Sequence, residues 1–255
     1  MSLVGGTLNS IVSHRLMRIA IVTGGSRGLG EALCRHLCDA GYAVIEFSRG
    51  APHGYSSRVD LIDPAATARV VASRLAHHSP KECTDLLVFS NAGTLSPIGP
   101  PWQKATESVV ANLNVNLVSA ITAISEIVRH FRESDCRKVL VNISSGAALK
   151  GYAGWSLYCA SKAGMEGFVR ALAIEEQRMA HPFTAISVDP GVIDTDMQAS
   201  IRATPKADFP EVERFIARKL SGGLATPDAV AAALIGLVSN PDLPSGSRYA
   251  VPADD

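Results

Sequence analysis

Short apolar runs alternate along this chain with longer stretches whose apolar positions recur every three to four residues. Arg18–Thr23 is the first run, and the stretch from about Leu29 to Ala40 follows it with Leu29, Leu33 and Leu37 on one stripe. Tyr42–Ser48, Asp85–Ser90, Val139–Ile143, Phe183–Val188 and Arg248–Val251 read as further strands. Helical spacing predicts helices beginning near Pro64, over Thr106 to about Phe131, over 157–179 and from about Pro227 to Ser239. Strands and helices taking turns in this way predict an α/β fold, a doubly wound parallel sheet of about seven strands with helices on both faces. No repeat, linker or low-complexity block divides the chain, so 17–255 is expected to form one domain. Residues 1–16 are polar and glycine-containing with no apolar signal-peptide core, and are expected to be an extension outside the fold.

The chemistry-bearing residues fall at strand ends. Gly24-Gly25-Ser26-Arg27-Gly28-Leu29-Gly30 joins the first strand to the first helix. That context puts backbone N–H groups and a helix N-terminus where a pyrophosphate can sit. A glycine turn by itself can also be purely structural. The second strand ends in Ser48-Arg49 where a ribose-binding acid would otherwise stand, and Arg27 lies in the first turn. Two guanidiniums near the adenosine ribose suit a 2′-phosphate, hence NADPH (NADP+) as cofactor. Glu46, three residues earlier and within the strand, is the rival ribose ligand. Asp60, followed by Leu61, either accepts from the adenine amino group or caps its own turn. Asn91-Ala92-Gly93 and Pro190-Gly191-Val192 follow two further strands, and open parallel sheets bind ligands beyond those ends.

Ser144 and Ser145 follow another strand, and Tyr158 and Lys162 lie four apart on the next helix. Their side chains therefore leave one helix face. Either this is an ordinary surface pair, or a lysine charge is expected to pull the phenol below its usual value near 10 for proton transfer. Of Asn112, Asn114 and Asn116, the last has the best claim to point inward, since Val109, Leu113 and Leu117 flank it; Ser119 is next. The segment 194–223 is too long for a connector and contains a glycine pair, Gly222-Gly223. It reads as a helical lid over substrate or as an inert surface pair of helices.

Composition narrows the partners. Lys plus Arg equals Asp plus Glu at 24 each, so no net field draws the chain to nucleic acid or an anionic membrane. The longest apolar run, around Ala229–Val238, is shorter than a membrane span. Five cysteines without Cys-x-x-Cys spacing are expected to be reduced thiols of a cytoplasmic protein, with Cys34 and Cys38 buried on one helix face and no metal site.

Taken together, Thr23-Gly24-x-x-x-Gly28-x-Gly30, Asn91-Ala92-Gly93, Asn116, Ser145, Tyr158-x-x-x-Lys162 and Pro190-Gly191…Thr195 resemble the short-chain dehydrogenase/reductase family, in order, from about Arg18 to Val251. Gly154-Trp155-Ser156-x-Tyr158-Cys159 and Asp194-Thr195-Asp196-Met197-Gln198 look most like its benzil reductases that form (S)-benzoin, which are similar in turn to sepiapterin reductases. Ser90 departs from the pattern, where many members have a second asparagine.

The resemblance implies a Rossmann-type domain and a ketone reductase. In that reading Tyr158 donates a proton to the carbonyl oxygen and Ser145 hydrogen-bonds the same oxygen. Lys162 binds the nicotinamide ribose and acidifies Tyr158, while Asn116 positions a water linking Lys162 to solvent. Thr195 and the Val192 backbone hold the carboxamide. Gly24, Ser26, Arg27, Leu29 and Arg49 hold the phosphates and adenosine, and Asn91, Ala92 and Gly93 the sugar. Leu149, Tyr152, Trp155, Met197 and Ile201 are expected either to line an apolar pocket for a flat ketone or diketone or to be packing residues. A homo-oligomer paired through the helices at 106–131 and 157–179 is implied as well. A 3-oxoacyl carrier-protein reductase would share every catalytic residue but carry a basic patch near the pocket. A nucleotide-binding module without turnover is the rival from another class.

Overall fold

The computed structural model describes residues 16–251. The expectation for the N-terminal extension falls on 1–15, outside the described residues. Seven parallel strands form one sheet: β1 (Met17–Thr23), β2 (Ala43–Ser48), β3 (Ser56–Arg58), β4 (Cys83–Ser90), β5 (Arg137–Ile143), β6 (Thr184–Asp189) and β7 (Arg248–Ala250). Their order across the sheet is β3-β2-β1-β4-β5-β6-β7. Building starts at β1, proceeds outward through β2 and β3, then returns to add β4 on the other side. That reversal opens a crevice above the C-terminal ends of β1 and β4.

The strands read as continuous apolar runs because helices cover both faces. Ile19 and Ile21 face α2 (Pro64–Leu75), α4 (Ser119–Phe131) and α5 (Ser156–Glu176). Ala20 and Val22, pointing the other way, face α1 (Gly28–Asp39) and α8 (Pro227–Val238). Leu29, Leu33 and Leu37 form the buried stripe of α1 as their spacing requires. A third apolar cluster gathers Leu95, Ala147, Trp155, Tyr158, Ile201, Phe209 and Val212. It brings α6 (Asp196–Arg202) and α7 (Val212–Leu220) against the start of α5, with Trp155 and Phe209 stacked at 4.7 Å.

Several expectations need correction. β3 has the sequence Ser-Ser-Arg, which carries no apolar signal; it is an edge strand held by pairing to Glu46–Ser48. The long helix at 106–131 is α3 (Thr106–Leu113), then a π-helical turn (Asn114–Val118), then α4. At 26 residues, with a mean hydropathy of 1.4 in its most apolar window, it is long and apolar enough to cross a membrane, contrary to the run-length reading. Ala123, Ile124, Ile127 and Phe131 are nonetheless committed to the core, and Asn112 and Asn116 are buried within the protein. Cys34 is buried but Cys38 is exposed, because the buried stripe runs through Leu33, Cys34 and Leu37 and the next residue turns outward in the last helical turn.

Candidate active site

The glycine turn after β1 is fixed by its neighbours. Thr23 Oγ1 accepts from the backbone N–H of Asn91 at 3.0 Å and of Ala92 at 3.2 Å. Asn91 Nδ2 donates to the carbonyls of Thr23 and Gly24 at 3.1 and 3.2 Å. Asn91 thus ties the turn after β4 to the turn after β1, a structural role beside its expected place near the cofactor sugar. Gly30 is required by close approach, since a Cβ there would lie 2.1 Å from the Gly24 carbonyl oxygen.

Glu46 is fully buried, and its Oε1 accepts from Gly25 N–H at 2.9 Å while Oε2 accepts from Ser48 Oγ at 3.2 Å. It braces the underside of the turn, fully buried and outside the lining of the crevice, so the rival ribose ligand is withdrawn from it. Arg49 lines the crevice at the end of β2. Arg27 also lines it, and its Nη1 lies 2.9 Å from Asp196 Oδ2 at the start of α6. Asp60 lines the crevice, with Oδ1 accepting from Ile62 N–H at 3.1 Å, and Leu61 beside it is buried.

The crevice is a cavity of about 1650 Å³. It runs from Gly24–Gly30 past Arg49 and Asp60 to Asn91–Gly93, and on to Ser145, Tyr158 and Lys162. Pro190, Gly191, Val192 and Thr195 form another wall. The Thr195 methyl would lie 3.2 Å from a Cβ placed on Gly28, so the glycine turn and the segment after β6 face each other closely. This volume exceeds the roughly 300–1,000 Å³ of a pocket for one drug-sized ligand. With bare glycine backbone at one end, it fits an extended dinucleotide plus a small substrate.

At the other end of the cavity, β5 delivers Ser144 and Ser145. Ser145 Oγ accepts from Ala147 N–H at 3.2 Å, capping a single 3-10 turn, and faces the Tyr158 phenol closely enough to lower its titration point. Tyr158 and Lys162 are both buried on one face of α5, with Nζ 5.6 Å from the phenol ring centre. Nζ donates to the Ile143 carbonyl at 2.6 Å.

The electrostatics differ from the sequence expectation. Burial pushes the Tyr158 phenol up to about 12, with the Ser145 hydrogen bond opposing it. Burial likewise pulls Lys162 down to about 8, with Asp189 and Glu166 opposing. Desolvation is the largest cause of both shifts, and the ammonium is turned to a backbone carbonyl.

Asn116 is buried in the π-helical turn, as its flanking residues require. Its Oδ1 accepts from Thr94 N–H at 2.8 Å, and its Nδ2 donates to Thr94 O at 2.7 Å and Asn112 Oδ1 at 3.1 Å. Its side chain is therefore engaged by protein and holds the loop after β4. Asn112, which sequence reasoning passed over, is equally buried and donates to Ser96 O at 2.8 Å. Ser119 Oγ donates to Leu61 O at 2.6 Å.

Tyr152, Trp155, Met197 and Ile201 line the cavity, with Trp155 and Ile201 also belonging to the third cluster. Leu149 does not: it follows the 3-10 turn Gly146–Ala148 and points outward, 68 % exposed. Leu95, Ile98 and Phe215 line the cavity instead. No local pattern marks those three, because the third cluster brings them in from separate parts of the chain.

A family model described as short chain dehydrogenase matches residues 18–206. The chain belongs to the short-chain dehydrogenase family. It is an oxidoreductase, as that membership entails. It is 34 % identical to a benzil reductase ((S)-benzoin forming) from Bacillus cereus, over 90 % of this chain and 97 % of that one. It is 30 % identical to the sepiapterin reductase of Bos taurus, over 90 % of this chain and 92 % of that one. A solved short chain dehydrogenase from Burkholderia cenocepacia, in complex with NADP, superposes with a TM-score of 0.73 at 26 % identity, covering 94 % of this chain and 98 % of that chain.

The depressed Lys162 value sets a stability dependence. The unfolded lysine titrates near 10.5 and the folded one at about 8, so the unfolded state binds more protons between those values. Stability from this group is greatest above about 10.5, falls as pH drops towards 8 and levels off below. Lys162→Met is therefore expected to stabilise the cofactor-free protein at pH 7 by an amount on the order of 2 kcal/mol and to flatten that slope. Denaturant unfolding of both proteins at several pH values measures it, and a destabilised variant at pH 7 would contradict it.

Proposed function

We propose that this chain is an NADPH-dependent carbonyl reductase that reduces a ketone or diketone of benzil or sepiapterin type, with Tyr158 as the proton donor. The observation that carries the reading is the meeting of Ser145, Tyr158 and Lys162 at one end of a cavity whose other end is the glycine turn. NADPH, when bound, supplies hydride to the carbonyl carbon. The Gly24–Gly30 backbone receives its phosphates. Thr195 and Val192 border the expected place of the nicotinamide.

Ser145 and Tyr158 offer two hydroxyls to one carbonyl oxygen, oriented before reaction so that developing charge meets donors already in place. A phenol titrating near 12 stays protonated at neutral pH, which suits a group that gives its proton away. Lys162 supplies a positive charge close to the phenolate left behind. Tyr152, Trp155, Met197 and Phe215 give the substrate side an aromatic and apolar surface that favours a flat ketone over a sugar.

NADPH over NADH is supported by Arg49 and Arg27 on the crevice wall and by the withdrawal of Glu46. The carrier-protein alternative is disfavoured by charge. The segment 194–223 holds five acids (Asp194, Asp196, Asp208, Glu211, Glu213) against five bases (Arg202, Lys206, Arg214, Arg218, Lys219), so it presents no net basic patch. Pairing of two copies through the helices at 106–131 and 156–176 is supported by the exposed Val110, Val118 and Ile174.

Oxidation of NADPH on adding benzil or sepiapterin is expected, with acetoacetyl thioester turned over poorly. Tyr158→Phe is expected to lower turnover by a factor on the order of 10³ while NADPH binding stays near normal. Unchanged turnover would remove Tyr158 from the mechanism, and a wild-type protein inert on every ketone would sink the reading. Arg49→Ala is expected to raise the KM for NADPH by about tenfold or more with little change for NADH. Equal losses with both nucleotides would refute the 2′-phosphate assignment. Sedimentation velocity should show a species larger than one chain, and a monomer at all concentrations would exclude pairing.

A further inference from the structure

Lys162 has an unusual position for a charged group. It is 5 % exposed, and among the described residues its ammonium makes no ion pair. Its hydrogen bond runs to a neutral acceptor, the Ile143 carbonyl at 2.6 Å. A buried charge without a counter-charge is costly, so the compensation has to come from the next layer of residues.

That layer contains a connected set of charges. Glu166, one helical turn beyond Lys162 on α5, is also 5 % exposed on its side chain. Its Oε1 accepts from Ser144 Oγ at 2.5 Å and from Arg248 Nε at 2.9 Å. Arg248, at the start of β7, reaches Asp189 Oδ2 with Nη2 at 3.0 Å and the Ser145 carbonyl at 3.4 Å. Asp189 ends β6 directly before Pro190-Gly191, and its Oδ1 accepts from Gly191 N–H at 3.1 Å. Its Oδ2 also lies 3.6 Å from where a Cβ on Gly146 would be, so it sits beside the turn that carries Ser145.

We propose that Glu166 and Asp189, bridged by Arg248, are positioning residues that hold Ser144-Ser145 in place and supply the counter-charge for Lys162. Two carboxylates and two cations make the set neutral as a whole, with Lys162 and Glu166 buried and Asp189 and Arg248 partly so. Arg248 alone touches both carboxylates and the Ser145 backbone, so it is the keystone of the geometry. The inference rests on the reductase reading for its benefit to catalysis, but not for its physical test.

The groups facing Lys162 define the signs. From α5 these are Tyr158 and Glu166, the latter also 3.8 Å from the outward-lying Arg170. From the end of β6 comes Asp189, and from β7, beyond the carboxylates, Arg248. The π-helical turn and the end of β4 contribute only the neutral Asn116 and Gly93. Glu166 and Asp189 both favour the charged lysine. Removing a carboxylate must therefore lower the Lys162 titration point, and removing the bridging guanidinium must raise it. A merely structural role would move both variants the same way or neither.

The full-length chain, labelled with ¹³C at lysine Cε, allows each titration to be followed by NMR, with the Lys162 resonance assigned by its loss in Lys162→Met. Asp189→Asn, which keeps an acceptor for Gly191, is expected to move the Lys162 midpoint down by about one pH unit, the lower end of what losing a nearby opposite charge does. Arg248→Met is expected to move it up by a similar amount, and Arg248→Lys to return it towards the wild type. Midpoints that stay put, or that shift the same way in both variants, overturn the proposal. The pH profile of ketone reduction should shift in the same opposed senses. If the wild type reduces no ketone while the NMR midpoints separate as stated, the reductase reading fails and the network stands. If ketones are reduced and the midpoints do not separate, the network fails and the reductase reading stands.

Discussion

The arrangement on which the rest depends is an ammonium and a phenol buried side by side at the mouth of a parallel sheet. Both groups would be easier to keep in water, and their titration behaviour records that cost: Tyr158 is driven up to about 12 and Lys162 down to about 8. Such a pair persists only where surrounding structure over-determines it. Here α5 fixes their spacing, the end of β5 provides the carbonyl and the serine, and the third apolar cluster closes over Tyr158 through Trp155. The sheet topology is what brings these parts together. A reversal between β1 and β4 leaves the crevice, and every polar residue of the site comes from a strand's C-terminal end or the helix after it.

Much of this was legible because the site is built from local motifs in a fixed order. The glycine turn, Asn91–Gly93, Ser145 and Pro190-Gly191 each sit where a strand ends, Tyr158 and Lys162 lie on the helix after one, and strand ends can be read from apolar runs. What escaped is non-local or polar. β3 is recruited only by pairing with β2, and Asn112 is buried because α3 packs over the loop after β4, which its own neighbours do not disclose. Leu149 went wrong through an irregular turn, where periodicity gives no direction for a side chain. The direction of the Tyr158 shift went wrong for a physical reason. Sequence spacing reveals that a lysine is near, but not how deeply both groups are desolvated.

Glu46 shows how burial answers a question that spacing leaves open. As an acid near the end of β2 it resembles a ribose ligand, yet it stands two residues short of the strand end and is held under the glycine turn by Gly25 N–H and Ser48 Oγ. There it accepts from Gly25 N–H and stiffens the loop that the cofactor phosphates would meet. The same acid thus supports the turn by being absent from the crevice, and its withdrawal leaves Arg49 to define the charge at that edge.

The segment after β6 is tied to the rest of the site by two kinds of contact, and their strengths are unequal. Arg27 and Asp196 form an ion pair whose side chains are 67 % and 72 % exposed, and such pairs contribute little against solvent and salt. Trp155 stacked on Phe209, with Ile201 and Val212 beside them, removes large apolar surfaces from water and contributes far more. The position of this segment over the cavity is therefore governed by apolar packing against the first turn of the helix that carries Tyr158. The apolar packing and the ion pair thus lie towards opposite ends of one cavity, so either can be altered without dismantling the other.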